Sequence, residues 1–572
     1  MKTHKLITFL LGIAISLPVW SQNVAPYDIL INEFLPDPLP QVGLPNAEFI
    51  ELFNRSNKTI NLKDFKLVNG TVSTVLPPFV LKSAAYVVIY TKKTGVDFSK
   101  FGDTLPVTKL IALSNPNDTF YLAAPNGEII DAARYDLTFY QNSKKAEGGW
   151  SLERTHPNAP CNGLAWTASN NLLGGTPSKR NSVAVDAVDK TPPLVERYYL
   201  KDDKTLVVTF DKSLDRVVAE QTPQYQTMEG IKISASRILP TSFSTIQLSF
   251  NTPLQPKRLY NLVIKPTLKD CQGVPLSMAD TLAIQLPEKP ARNDLINNEI
   301  LINPEVNGSR FLELFNRSEK AVDIGGLKII DSTRGDVKTV TTNFLLLPKQ
   351  YVALTENPSY IEKRYNATPF RFSILKNKLP TWNEASGNVA VYAIDGSKTI
   401  VLDSFSYDKS WHNPLLATSE GVSLEKIHPN LSSTNKANWQ SAAEKSGFAT
   451  PAQKNSQFRD PQETPSVSTS FWFDKNTFSP DDDGYEDALL IHYKLDKGGG
   501  LATVKIFDSN GRLAKILTAN ELLGTEGVLR WQGERLDGSK ATIGVYIMVI
   551  NVVFPTGLST YQKLPFAVIT KF

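Results

Sequence analysis

The chain has 572 residues, with 61 Lys and Arg against 57 Asp and Glu and a formal net charge of +4. At about 100–200 residues per domain, this length predicts three to five domains. The basic residues are spread thinly along the chain, which argues against a nucleic-acid partner. Composition therefore favours a multi-domain globular protein that does not bind nucleic acid.

The first 21 residues have the pattern of a secretory signal peptide. Lys2 and Lys5 precede an apolar run from Leu6 to Val19, and a cut before Gln22 is expected. The run is too short to span a membrane, and no other stretch of about 18 apolar residues occurs, so the mature chain is predicted to have no transmembrane segment. We expect the protein to be secreted or held at the outer-membrane surface.

Cys161 and Cys271 are the chain's two cysteines. They lie in different predicted domains, in what should be an oxidising compartment. A mutual disulfide and a pair of buried free thiols are both compatible with the sequence, because sequence alone does not fix the geometry that a disulfide needs.

One long stretch occurs twice. FIELFNRSNKTINLKDFKL at 49–67 returns as FLELFNRSEKAVDIGGLKI at 311–329. Three further pairs keep the same order along the chain: LINEFLPDP with INNEILINP, SLERTHPN with SLEKIHPN, and GGTPSKRNS with FATPAQKNS. Because the period is too long for a solenoid, the repeat predicts two copies of one domain.

Short segments rich in Val, Ile, Phe and Tyr fill the rest of the chain. Pro-Asn-Gly at 125–127 and Ile-Asp-Gly at 394–396 are hairpin signals. The fold class predicted is all-β, with four consecutive Ig-like β-sandwich domains. The predicted divisions are a signal peptide at 1–21, the first repeat copy at 27–184, an Ig-like domain at 191–288, the second copy at 294–457, a linker at 458–470 and a C-terminal Ig-like domain at 471–572.

Glutamates inside the repeated strands have two interpretations. In the first copy Glu51 lies between two phenylalanines, where burial is costly unless the carboxylate is paired. One interpretation is a calcium site, with ligands Glu33, Asp37, Glu48 and Glu51. The other places Glu51 at the sheet rim, paired with Arg55 or Lys66. The second copy favours the rim, because it has Asn and Arg at the places of Asp37 and Glu48.

A second candidate for calcium lies in FSPDDDGYED, near the C-terminus. Asp481, Asp483 and Asp487 have the D-x-D-G-x-x-D spacing with which short loops wrap carboxylates around calcium, and Gly484 permits the sharp bend. The full EF-hand loop is absent. The alternative is a solvated acidic turn whose aspartates accept hydrogen bonds from backbone amides.

Catalytic motifs such as G-x-S-x-G, H-E-x-x-H and C-x-x-C are absent from the sequence, which predicts a protein that is not an enzyme. Trp411, beside His412, and Trp382 are the candidate ligand-binding residues, because an exposed indole offers a stacking face to sugars or peptides. The alternative is that these tryptophans cap the core.

The repeated phrases NEFL, ELFNRS, SLER, HP and TP with NS resemble the bacterial lamin-tail domain over 27–183 and 294–457. That resemblance implies an Ig-like β-sandwich used for binding or scaffolding in exported proteins. DKTPP and LVVTFDKSLD in the middle segment resemble the Ig-like domains of bacterial surface-layer proteins. FSPDDDGYED and ATVKIFDSNGRLAKIL resemble the Ig-like domain of the flagellar hook-capping protein and the tails of type IX secretion cargo, which implies recognition by secretion machinery.

These features predict a non-catalytic exported protein that acts as a cell-surface or extracellular adhesion or scaffold module. Its partner would be a cell-surface or extracellular protein or glycan, with secretion machinery as a further partner of the C-terminal domain. The alternatives are a calcium-dependent glycan-binding protein and an accessory part of a secreted hydrolase system.

Overall fold

The computed structural model describes residues 24–158, 166–186, 189–239, 242–367, 373–459 and 469–570. The predicted signal peptide and Cys161 lie outside the described residues. Within those ranges, no helix combines the length and the apolar character needed to cross a bilayer. The described chain is all-β and forms four consecutive Ig-like β-sandwiches, which confirms the predicted fold class.

The first sandwich places a six-stranded sheet, in the order β12-β11-β1-β2-β7-β8, against a four-stranded sheet, β10-β9-β4-β5. Its strands are β1 Ile29–Leu35, β2 Phe49–Asn54, β3 Ile60–Asn61, β4 Lys66–Asn69, β5 Val72–Val75, β6 Val80–Leu81, β7 Tyr86–Thr91, β8 Thr104–Val107, β9 Asn117–Ala123, β10 Ile129–Asp136, β11 Leu152–Arg154 and β12 Trp166–Ala168. Alternation along β2 sends Ile50 and Leu52 into the core between the sheets. Phe49 and Glu51 point to the opposite face and are also buried, so this sheet is covered on both sides.

The third sandwich repeats this topology as β27-β26-β21-β20-β30-β31 against β24-β23-β28-β29. Its elements are β20 Leu295–Leu301, β21 Phe311–Asn316, β22 Val322–Asp323, β23 Lys328–Asp331, β24 Asp336–Thr339, β25 Leu345–Leu346, β26 Tyr351–Thr355, α2 Pro358–Arg364, β27 Ile374–Lys376, β28 Ser386–Asp395, β29 Lys398–Asp408, β30 Leu424–Lys426 and β31 Trp439–Ser441. The pairs β7–β8 and β26–β27 are both parallel. Twin sandwiches with separate cores therefore account for the sequence repeat.

The second sandwich lies between the twins and shares its core with both. Its elements are β13 Val195–Asp202, β14 Thr205–Phe210, α1 Arg216–Ala219, β15 Tyr225–Thr227, β16 Ile233–Ile238, β17 Thr245–Phe250, β18 Tyr260–Ile264 and β19 Asp280–Ile284. Tyr27 and Leu30 of the first sandwich and Leu345 of the third belong to the same hydrophobic cluster as its own strands. The first three sandwiches are therefore packed together.

The C-terminal sandwich pairs sheet β32-β34-β37 with sheet β33-β39-β38-β35-β36. Its strands are β32 Ser470–Phe473, β33 Thr477–Phe478, β34 Leu489–Lys494, β35 Leu501–Asp508, β36 Leu513–Leu522, β37 Glu526–Trp531, β38 Gly544–Val553 and β39 Ser559–Val568. Trp531 is 1% exposed and packs against Tyr546 and Phe566 in the core. Short 3-10 turns elsewhere in the chain span Leu137–Tyr140, Lys145–Glu147, Thr222–Gln224, Lys409–Trp411, Lys436–Asn438 and Glu444–Ser446.

Cys271 is disulfide-bonded, so the interpretation that left it a free thiol is wrong. The chain's other cysteine is Cys161, which lies outside the described residues. The loop that carries Cys271 lies against the first sandwich, since Gln272 Nε2 donates to the carbonyl of Asn158 at 3.3 Å.

Candidate functional site

Three glutamates form a row across the large sheet of the first sandwich. Glu33 on β1 pairs with Glu51 on β2 and with Glu153 on β11, and each is 0% exposed. Cross-strand partners point to the same face of a sheet, so the three carboxylates lie side by side. Residues 174–183, which we call the first strap, follow β12 and supply the hydrogen-bond donors that burial of these groups requires.

The first strap contacts all three carboxylates. Thr176 donates its backbone N–H to Glu33 Oε1 at 2.8 Å and its hydroxyl to Glu153 Oε1 at 2.8 Å. Ser182 Oγ donates to Glu153 Oε2 at 2.8 Å, and the backbone N–H of Ser178 donates to Glu51 Oε2. Repeated T-P and N-S pairs in the sequence therefore mark a segment that is tied down by buried acids.

The third sandwich builds the same network with its own row, Glu299, Glu313 and Glu425, each 0% exposed. Its cover, the second strap, comprises residues 448–457. Thr450 donates its backbone N–H to Glu299 Oε1 at 2.9 Å and its hydroxyl to Glu425 Oε1 at 2.7 Å. The backbone N–H of Ala452 donates to Glu313 Oε2 at 2.5 Å. The two straps thus bind equivalent atoms.

Burial raises the pKa values of these acids. Loss of hydration and, second, the neighbouring Glu153 raise the pKa of Glu33 to about 8, against the lowering effect of hydrogen bonds from Ser151 and Thr176. The pKa of Glu299 is raised to about 8 by burial and then by Glu425. Burial is also the first cause of the raised pKa of Glu51, with Glu33 second.

The rim interpretation of Glu51 is wrong. The side chain is fully buried, and it accepts from Asn32 Nδ2 at 2.8 Å rather than from Arg55 or Lys66. The reason is the strap, which covers a face that sequence alternation alone assigns to the rim. The other predicted calcium ligands of this copy bond elsewhere, Asp37 to Asn115 Nδ2 and Glu48 to the N–H of Leu113.

Sequence reasoning missed the strap partners, although their signal was present. Glu153 and Glu425 lie in the repeated SLE phrase, and Thr176 and Thr450 lie in the repeated T-P phrase. A polar residue that recurs at the same place in both copies, beside buried strands, indicates a side chain that needs a hydrogen-bond partner elsewhere in the domain. The bond itself required the fold, because Glu33 and Thr176 are 143 residues apart.

The twin sandwiches differ in charge at one end. Directly before β2 the first copy has Glu48, and directly before β21 the second has Arg310. The Arg310 guanidinium donates to the carbonyl of Trp382 at 3.2 Å and to Glu384 at 3.3 Å. A cavity of about 470 Å³ opens here in the third sandwich, which we call the Arg310 cavity; it is lined by Asn303, Arg310, Trp382, Asn383, Glu384, Ala385 and Lys409.

The two candidate tryptophans lie in the third sandwich with different exposure. Trp382 lines the Arg310 cavity but is 1% exposed, so its ring belongs mainly to the core. Trp411 is half-buried, at 6.3 Å from Phe405 between ring centroids. Neighbouring His412 shares a hydrogen with Ser441 Oγ at 3.0 Å, and burial lowers its pKa to about 4.

The structure brings Asp481, Asp483 and Asp487 together. One carboxylate oxygen from each lies within 4.8 Å of the others, and oxygen ligands in such a group suit calcium. The same groups accept backbone hydrogen bonds: Asp487 from the N–H of Asp482 and of Gly484, at 2.6 and 2.7 Å. Both interpretations drawn from the sequence therefore have geometric support, and calcium binding stays a prediction.

Two segments of the chain match the same protein-family model. Residues 22–136 and 288–409 match the model of the Lamin Tail Domain family. No curated protein matches the chain. Together the two matched segments fall in the first and third sandwiches, as the sequence resemblance predicted.

Solved structures give weak likenesses. The N-terminal part of the bacterial S-layer protein SbsC is 13% identical, with a TM-score of 0.17. The aligned region covers 37% of this chain and 44% of the SbsC fragment. A tetra-tandem repeat from the extending region of a large adhesion protein has 10% identity, 95% and 99% coverage, and a TM-score of 0.13. The chain thus spans less than half the length of the SbsC fragment. TM-scores this low carry no argument about function, and what the comparisons establish is that two of the four β-sandwiches match the lamin tail domain.

Proposed function

We propose that this chain is a non-catalytic exported protein that acts as a cell-surface or extracellular adhesion or scaffold module. The proposal rests on a contrast within the twin sandwiches between the residues that they share and the loops in which they differ. The polar residues that the twins share are buried in the strap networks. The loops directly before β2 and β21, at the end of each sandwich that we call its mouth, differ in charge, with Glu48 in the first and Arg310 in the third. A common frame with divergent loops is typical of binding modules.

Packing of the first three sandwiches supports the scaffold part of this proposal. Besides the shared core, Lys376 of the third sandwich pairs with Asp136 of the first at 3.1 Å, and Arg216 pairs with Glu128 at 3.2 Å. This packing holds the mouths of the first and third sandwiches at a fixed distance from each other. Fixed spacing raises the effective concentration of the second binding event when a partner offers both epitopes.

The first experiment measures location. Intact cells are treated with a protease that does not enter them, and the chain is followed with an antibody to the mature region. We expect the chain to be degraded on intact cells or recovered from the medium. Retention inside the cell, with full protection from the protease, contradicts the proposal, as does turnover of a substrate by the purified chain.

A second experiment measures binding at the Arg310 cavity. The purified chain is tested against extracellular protein and glycan arrays beside the variant Lys409→Glu, which reverses a charge on an exposed side chain of the lining. We expect the variant to lose binding to some of the array proteins or glycans that the original chain binds. Val217→Glu, at a 75% exposed position of the second sandwich, is the matched control and should bind as the original chain does.

Calcium-dependent glycan binding is the second candidate function. It is favoured by the converging oxygens of Asp481, Asp483 and Asp487 and by the half-buried ring of Trp411. A glycan array read with and without a chelator separates the candidates. Binding that disappears with the chelator and returns with added calcium selects this alternative, and binding that ignores the chelator removes it.

Finally, we propose that the C-terminal sandwich directs secretion or anchoring through contact with secretion machinery; a role of the chain as an accessory part of a secreted hydrolase system is the alternative. Removal of residues 471–572 is then expected to leave the remaining chain in the periplasm. Normal appearance of the shortened chain outside the cell contradicts this role.

A further inference from the structure

The hydroxyl of Thr450 lies between two buried carboxylates and has one proton to donate. It is 2.7 Å from Glu425 Oε1 and 3.2 Å from Glu299 Oε2. If both carboxylates were ionised, both oxygens would need that single proton. A proton on Glu299 Oε2 resolves the conflict, because Glu299 then donates to Thr450 and Thr450 donates to Glu425.

Other contacts assign this proton to Glu299 rather than to Glu425. Glu425 also accepts from Ser456 Oγ and from the N–H of Gln457, each at 2.8 Å, so both of its oxygens are engaged by donors. Glu299 Oε1 accepts from Ser423 Oγ and from the N–H of Thr450, which leaves Oε2 with the shared hydroxyl. The first sandwich repeats the arrangement, with Thr176 Oγ1 at 2.8 Å from Glu153 and 3.2 Å from Glu33.

Charged groups around the row favour protonation as well. Glu313 and Glu425 flank Glu299 on the adjacent strands, and the ionisable groups that face the row from neighbouring elements are the hydroxyls of Tyr351 and Tyr365. In the first sandwich these places are taken by Glu51, Glu153 and Tyr86, with Arg180 beside Tyr86. Among the described residues, no ion pair includes a glutamate of either row.

The second strap is also the surface on which the C-terminal sandwich sits. The backbone N–H of Thr525 donates to the carbonyl of Ser456 at 3.0 Å, and Thr525 Oγ1 donates to the carbonyl of Phe458 at 2.8 Å. Gln457 Nε2 donates to the carbonyl of Leu523 at 3.2 Å. A Cβ on Gly524 would lie 2.7 Å from the Ser456 oxygen, so the approach is close.

We propose that a proton held on Glu299 fastens the second strap, and through it the C-terminal sandwich, and that loss of this proton in alkaline solution releases both. The first strap has the same lock but leads into the second sandwich, so its release leaves the C-terminal sandwich in place. The proposal concerns a conformational switch and goes beyond the adhesion or scaffold role.

The direction of the pH dependence follows from the raised pKa. An exposed glutamic acid has a pKa of 4.5, and that of Glu299 is raised to about 8. The folded state therefore holds the proton more tightly than the unfolded chain does. Its stabilising effect is present in full below about pH 4.5 and is lost as the pH rises through about 8.

Hydrogen exchange on the full mature chain tests the lock. Exchange of residues 448–458 and 521–526, corrected for the pH dependence of intrinsic exchange, is followed from about pH 6 to about pH 10. Because opening of the strap exposes Glu299 and returns its pKa toward 4.5, we expect protection to fall roughly tenfold per pH unit from about pH 6 to about pH 8 and to be constant at higher pH. Protection of both segments that stays constant over the whole range overturns the proposal.

Glu299→Gln supplies the matched variant. Its amide donates permanently to Thr450 Oγ1 and its carbonyl oxygen keeps the two other contacts, so both segments should stay protected in alkaline solution. Glu33→Gln is the control, which should remove the pH dependence of residues 174–183 and leave that of 448–458 and 521–526 unchanged. Continued alkaline release in Glu299→Gln contradicts the assignment.

Infrared spectroscopy on the original chain gives a readout that does not depend on a variant folding. A buried protonated carboxyl group has a C=O stretch above the amide I band. We expect this band at neutral pH and its loss in parallel with the alkaline release of the second strap. Absence of the band at neutral pH overturns the proposal.

Discussion

The first and third sandwiches, whose segments match the lamin tail domain, bury equivalent aspartates with different basic side chains. In the first, Arg154 Nη2 contacts Asp131 Oδ2 at 2.5 Å, and the two side chains are 3% and 2% exposed. In the third, Lys426 Nζ donates to Ser433 Oγ, which donates to Asp403 Oδ2 at 2.7 Å. Each twin therefore buries an aspartate that accepts a backbone N–H from β1 or β20, whereas the basic side chain and its connection to the aspartate differ.

That difference has an energetic meaning. Arginine stays charged in proteins, so Asp131 compensates a permanent buried charge. Burial lowers the pKa of Lys426 to about 8, so this side chain can lose its proton at modest cost. Equivalent positions in a repeat can thus have unequal importance even when the backbone is the same.

The largest expected effect comes from removing the aspartates. Asp131→Asn leaves the Arg154 guanidinium buried without its counterion, which should lower the free energy of unfolding by about 3–5 kcal/mol. Asp403→Asn should cost less, about 1–3 kcal/mol, because Lys426 can become neutral. Denaturant unfolding of the full chain, followed by exchange in each sandwich, measures both. Equal losses in the two variants would refute the distinction.

The sequence predicted the twin frame well because it depends on local patterns. Alternation in FIELF and the hairpin glycines both follow from residues close in the chain, and both are observed. The strap networks and the buried side of Glu51 could not be predicted in the same way. They depend on which distant segment covers a face of the sheet. When both faces are covered, alternation along a strand no longer separates buried from exposed side chains.

The next effect separates the twins in acid. His412 of the third sandwich follows the cap Asp408 by four residues, as Tyr140 follows Asp136 in the first. The pKa of His412 is lowered from 6.5 to about 4 by burial, so unfolding takes up a proton between these values. The stabilising effect is present above about pH 6.5 and is lost as the pH falls through about 4, a change of about 3 kcal/mol.

His412→Tyr places the first copy's residue in the second. We expect the third sandwich to keep its stability between about pH 6.5 and about pH 4, measured by unfolding at each pH, while the first sandwich is unchanged. The reverse substitution Tyr140→His should make the first sandwich sensitive to acid. Identical acid profiles for the original chain and His412→Tyr would show that the histidine is not the cause.

Calcium should act on neither twin, which makes them an internal reference for the C-terminal sandwich. If Asp481, Asp483 and Asp487 bind the ion, calcium at a hundredfold excess over its Kd should stabilise that sandwich by about 2.7 kcal/mol. Exchange of residues 479–487 with calcium and with a chelator measures this effect. Asp483→Asn should remove it, and equal protection under both conditions argues for the solvated turn.

The smallest expected effect on stability comes with the largest expected effect on recognition. Glu48→Arg and Arg310→Glu exchange the charges at the two mouths. Arg310 is 26% exposed and its ion pair with Glu384 reaches solvent, so breaking that pair should change the free energy of unfolding by at most about 1 kcal/mol. If loop charge selects partners, Arg310→Glu should lose acidic partners of the third sandwich, and Glu48→Arg should gain them at the first. Array binding, repeated at high salt to screen the charges, measures the exchange. An unchanged bound set would mean that the twins recognise their partners through the shared frame rather than through the loops in which they differ.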